Sequence, residues 1–127
     1  MRQWIEYILV VLIMRKKIRI LFLASSPLNS PIRLRLDEEA RKIQESIEAG
    51  EYRQRFDFIT QWAVRFTDLV PALIRYKPHI VHFSGHGGKS QKILLQDEKG
   101  SEKPIDKSAL VEIFNAHKHN IRLVFLN

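Results

Sequence analysis

The 127-residue chain contains no cysteine. That excludes a disulfide scaffold, a cysteine-ligated zinc site and a thiol nucleophile within these residues. The longest apolar run, Tyr7 to Met14, has eight residues, against roughly 20 for a helix that crosses a bilayer. No GxGxxG follows the first apolar segment and no GxxxxGK[ST] occurs, so neither common phosphate-binding loop is present. An HExxH pattern is also missing, as are internal repeats and low-complexity tracts.

What remains is a globular balance. Hydrophobic residues make up 45% and charged residues 28%, a composition that can build a core. The length suits one small domain. The net charge of +7 sits unevenly, since residues 1–34 hold six basic residues against Glu6 alone. The other 93 residues carry fifteen basic and thirteen acidic groups. Their basic residues are scattered without interleaved aromatics and read as a solvated surface, so no specific nucleic acid is expected as a partner.

Residues 1–14, MRQWIEYILVVLIM, form an apolar extension. In a secretory signal the cations precede the apolar stretch, whereas here Arg15-Lys16-Lys17 follow it and no small-residue cleavage site appears. An interfacial anchor, an extra packed element and an upstream extension from an early start codon all fit. The last is favoured, because Met14-Arg-Lys-Lys leads directly into a strand-like segment. A cytoplasmic location without a membrane span is the expectation.

Ile18 to Ala24 reads as a strand buried on both faces. Leu36, Ala40, Ile43 and Ile47 recur at helical spacing, with Gly50 as a stop signal. Phe56 to Thr60 suits a second strand. Thr67 suits the cap of a helix carrying Leu69, Leu73 and Tyr76, with Val70 and Ile74 beside them and Pro78 closing it. His79 to Gly88 is a buried-strand pattern running into glycines. Ile93 to Gln96, the turn Asp97-Glu-Lys-Gly100 and Pro104-Ile105 form a hairpin pattern. A helix capped by Asp106 or Ser108 and a strand over Ile121–Asn127 complete the chain. Strands alternating with helices predict an α/β fold with an open parallel sheet. In such sheets chemistry gathers beyond the carboxyl ends of the strands. Ser25-Ser26, Ser84-Gly-His86-Gly87 and Asn127 all fall there.

His86 lies between Gly85 and Gly87. A histidine so placed can act as a general base, and the adjoining N–H groups can stabilise an oxyanion. The same tetrapeptide is also what a tight turn with an incidental histidine looks like. A metal site is disfavoured because His79 and His82, three apart, point to opposite faces of a strand and no acidic cluster completes a ligand set. His82 shares a face with Ile80 and Ser84 and reads as a satisfied core histidine. His117 and His119 read as helix-end surface residues.

Taken together, ILFLASSPLNSPIRLRLDEEARKIQESI, RFDFITQWAVRFTDLVPALIRYKPHIVHFSGHGG, ILLQDEKG and VFLN resemble the CHAT domain. This is a caspase-like domain of bacteria and eukaryotes, often associated with tetratricopeptide repeats. The resemblance covers Ile18 to Asn127. It implies a cysteine-peptidase lineage with a His–Cys dyad, the histidine falling on His86 and the oxyanion glycine on Gly87. The family's cysteine follows the strand ending in Leu-Asn, and this sequence supplies none. The expectation is therefore a three-layer, open parallel sheet of caspase-like, flavodoxin-like order 2-1-3-4, truncated after the fourth core strand. Residues 15–127 would be the front portion of that domain, retaining the base and inactive alone as a peptidase. No cofactor or metal is expected. The alternative is a non-catalytic interaction or signalling module, or one half of a split peptidase whose missing carboxyl-terminal half pairs at Ile121–Asn127. A minimal hydrolase using Ser25 or Ser26 with His86 ranks last, for want of a supporting carboxylate.

Overall fold

The structure, a computed structural model, describes residues 2–15, 17–27, 35–87 and 92–126, with side chains apart from those of 10–15, 86 and 87. Helix α1 (Arg2–Arg15) leads to β1 (Ile18–Ala24) and α2 (Leu36–Ala49). A short 3-10 turn at Arg53–Arg55 enters β2 (Phe56–Gln61), followed by α3 (Phe66–Tyr76) and β3 (Ile80–Ser84). Next come β4 (His86–Gly87), β5 (Lys92–Gln96), β6 (Glu102–Asp106), α4 (Lys107–Ala116) and β7 (Leu123–Leu126).

Four strands form a parallel sheet in the order β2-β1-β3-β7, so the apolar runs at 18–24 and 80–84 occupy its centre. Leu21, Leu23, Val81 and Phe83 point to one face, where Leu69 and Leu73 of α3 and Leu110 and Phe114 of α4 cover them. Phe22 and Ala24 point to the other and meet Leu36 and Ala40 of α2. Helices thus lie on both faces. Phe22, Leu21 and Leu23 are fully buried, and burying each such side chain stabilises the fold by about 1.5–3 kcal/mol.

Two helix ends differ from the sequence expectation. Thr67 does not cap α3. Arg65 occupies that position, and its backbone N–H donates to the Asp68 carboxylate at 2.9 Å. Burial works to raise the Asp68 pKa, but the bonds from the Arg65 side chain and backbone, with its charge, hold it below the usual value. Ile74 also departs, being 59% exposed while Ala72 takes the buried place. At the far end Lys77 adopts a left-handed conformation, φ 44°, and its carbonyl accepts from the Arg19 side chain. On α2, Glu38 pairs with Arg35.

The hairpin is larger than the pattern suggests. β5 and β6 are antiparallel, and β4 adds a third strand, with His86 opposite Leu94 and Gly87 opposite Ile93. The Asp97 carboxylate accepts from the N–H groups of Lys99 and Ser101 and closes the turn, where Gly100 takes φ 83°. Helix α1 exposes Trp4, Ile5, Tyr7, Ile8 and Leu9. Among the described residues no helix is long and apolar enough to cross a membrane.

Candidate functional site

The carboxyl ends of β1 and β3 lie side by side. Ala24 is paired with Ser84, and the Ser25 N–H donates to the Ser84 carbonyl at 3.0 Å. Immediately beyond, the chain leaves the parallel sheet at Gly85 and enters β4. A side chain is excluded at this corner. A Cβ on Gly85 would stand 2.9 Å from the Phe83 ring and 3.4 Å from the Ser25 carbonyl. Glycine is needed here for a close approach rather than for an unusual φ.

His86 and Gly87 therefore stand on a short antiparallel strand, where the sequence pattern had suggested a free turn. Opposed residues in an antiparallel ladder alternate between hydrogen-bonded and non-hydrogen-bonded pairs. One of the two N–H groups is thus turned away from β5, as an oxyanion donor must be. The His86 side chain, Asn127 and residues 28–34 and 88–91 lie outside the described atoms.

On β3, before the Gly85 corner, is a polar group that sequence reasoning did not assemble. Glu39 of α2 meets two residues of β3, accepting from Ser84 Oγ at 2.5 Å and contacting His82 Nε2 at 2.9 Å. An ionised carboxylate only accepts, so with Glu39 ionised it is Nε2 that carries the hydrogen of that contact. The His82 ring is stacked between Phe22, at 5.2 Å, and Phe125, at 5.1 Å. All three belong to one cross-strand row, in which His82 is paired with both phenylalanines. Glu39 was legible in one respect. It falls on the same helical stripe as Leu36, Ala40 and Ile43, and an acid on a buried stripe needs a partner.

This constellation has the residue types of a hydrolytic triad but the wrong bonding. Ser84 gives its hydrogen to the carboxylate, so the serine–histidine contact of a triad is missing among the described residues. The Glu39 contacts instead tie α2 to β3, the strand that runs into the Gly85 corner. His82 is accordingly a satisfied, half-buried histidine.

The remaining candidates resolve as follows. Ser25 is fully buried, and its Oγ has no hydrogen-bond partner among the described residues. A substrate cannot reach it, which removes it as a nucleophile; Ser26 is half-buried with no role in the described contacts. His79 lies at the opposite end of the sheet, where its Nδ1 accepts from the Arg19 backbone N–H at 2.9 Å. Burial first, then the charges of Arg19 and Arg122, hold its pKa below the ordinary histidine value. His117 Nδ1 contacts the Ile113 carbonyl at the end of α4. Among the described residues no group of three or more histidine, aspartate or glutamate side chains is arranged to hold a metal.

No protein-family model matches this chain, and a search of curated proteins finds no match. What the fold and site define is an α/β chain with a four-stranded parallel sheet and a histidine-bearing corner at its carboxyl end.

Proposed function

We propose that this chain is the base-bearing front portion of a caspase-like domain of the CHAT type, inactive as a peptidase by itself. In this reading His86 is the general base and the Gly87 N–H an oxyanion donor. The nucleophile comes from outside the 127 residues, because they contain no thiol. A histidine without a thiolate cannot form an acyl-enzyme. One observation carries the reading. Phe83 is paired with Leu126 on the neighbouring strand, so a chain leaving β7 emerges beside the corner that carries His86. The sheet order β2-β1-β3-β7 fits the expected 2-1-3-4 arrangement.

An Ala-Cys extension after Asn127 tests this without an unknown partner. An imidazolium beside a thiol lowers its pKa and increases the thiolate fraction at mildly acid pH. Alkylation by iodoacetamide at such a pH should be about tenfold faster than in the same extension carrying His86→Ala. Equal rates in the two proteins refute the dyad.

A second reading, a non-catalytic module that binds another protein, is favoured by β7. This edge strand exposes Leu123 and Phe125 by 52% each and Leu126 by 39%. An apolar edge of this kind invites pairing. Phe125→Lys should then abolish partner capture while leaving the alkylation contrast of the extended chain in place.

A further inference from the structure

We infer that α1 and the amino end of the parallel sheet together form a docking surface for membranes rich in anionic phospholipid. The inference is independent of the caspase-like reading. Two observations converge on one end of the molecule.

The first is the exposed apolar helix. Trp4, Ile5, Tyr7, Ile8 and Leu9 are each more than half exposed. In its first two turns Arg2, Gln3 and Glu6 are the polar residues, and the sequence is apolar from Tyr7 to Met14. At about 1.5 Å per residue the helix is roughly 21 Å long, shorter than the roughly 30 Å hydrocarbon core of a bilayer. A helix this short and this apolar inserts into one leaflet and does not cross. A tryptophan and a tyrosine suit the interfacial depth.

The second is the charge at its base. A cleft of about 640 Å³ at the amino end of the sheet is lined by Lys17, Arg19, His79 and Arg122, with Ile18 and Leu123. Among the described residues the one carboxylate within ion-pair reach of these cations is Asp57, 3.4 Å from Lys17. Burial first, and then the nearby charges of Arg19 and Arg122, disfavour protonation of His79 in this cleft. In sequence the apolar run is followed by Arg15-Lys16-Lys17, a basic run of the kind that anionic headgroups attract. An anionic headgroup layer complements both features at once. A nucleic acid would satisfy the cations alone.

The full chain is sedimented with phosphatidylcholine vesicles and with vesicles that also contain phosphatidylserine. Binding should be at least about tenfold tighter to the second and weaken with salt. In a Trp62→Phe background the emission of Trp4 should shift to the blue on binding. Trp4→Glu with Ile8→Glu should abolish binding. Lys17→Ala and Arg122→Ala should each weaken it about fivefold. These four side chains are exposed, so thermal melts of the variants should match the parent and separate lost docking from lost folding. Equal affinity for the two vesicle types overturns the inference. So does undiminished binding by the Trp4/Ile8 variant, or α1-dependent self-association without vesicle binding. Salt-sensitive binding to a duplex oligonucleotide with none to vesicles assigns the charge to nucleic acid and overturns it as well.

Discussion

The two ends of the parallel sheet hold histidines of the same segment in opposite electrical surroundings. At the carboxyl end, His82 meets the Glu39 carboxylate and lies between two phenylalanine rings. At the amino end, His79 accepts a backbone hydrogen bond and faces Arg19 and Arg122. Three residues of extended chain are enough to move a histidine from an acidic contact to a basic one. A histidine's neighbours across the sheet, rather than its place in the sequence, set its electrical surroundings. The carboxyl end is built from buried polar contacts that position a corner, and the amino end from exposed charge.

Changes at the carboxyl end should therefore cost the most stability. Glu39→Ala strands the hydrogens of Ser84 and His82 in a half-buried site and should cost about 3 kcal/mol in urea unfolding. Glu39→Gln, which keeps an acceptor, should cost about 1 kcal/mol. If the alanine variant falls within about 0.5 kcal/mol of the parent, the strut between α2 and β3 is not a stabilising contact. Gly85→Ala forces a methyl group against the Phe83 ring and should cost about 2 kcal/mol, the range for overpacking.

The amino end should respond mainly to pH. The folded His79 pKa lies below its unfolded value near 6.5, so the unfolded chain takes up the proton first as pH falls. Stability is full above that value and declines as pH drops from it toward the folded pKa. His79→Asn keeps an acceptor for the Arg19 N–H but cannot titrate. The difference in melting temperature between pH 7.5 and about pH 5.5 should shrink in this variant; an unchanged difference would assign the decline to other groups. Smallest of all, Lys17→Ala removes an exposed pair with Asp57 and should alter stability by less than about 0.5 kcal/mol.

Much of the architecture was legible because apolar periodicity reports burial. The run Ile18–Ala24 is β1 with its expected bounds, and Leu36 and Ala40 face the core from α2 as their spacing required. Helix caps were less legible. Thr67 is a good cap by type, yet the chain begins α3 two residues earlier, where Asp68 can reach the Arg65 N–H. The strand character of His86 and Gly87 was hidden for a different reason. Glycines around a histidine look like a turn until the partner strand, Lys92–Gln96, is in place, and that pairing is tertiary information. Likewise Glu39 carried a local hint on its helical stripe, but no spacing rule joins position 39 to positions 82 and 84.

The segment after β2 has a consequence for how the molecule opens. The Val64 N–H donates to the Ala24 carbonyl at 3.0 Å, and the Val64 carbonyl accepts from Gln96 at 3.1 Å. A single residue thus stitches the central strand of one sheet to the hairpin of the other. Val64 itself is 1% exposed, although it belongs to no strand. In amide-exchange terms, the Val64 N–H is released only when this segment leaves β1, and the Gln96 N–H only when the hairpin leaves Val64. The hairpin and the parallel sheet then exchange as one cooperative unit, and the His86 corner between them inherits the slow opening of the core.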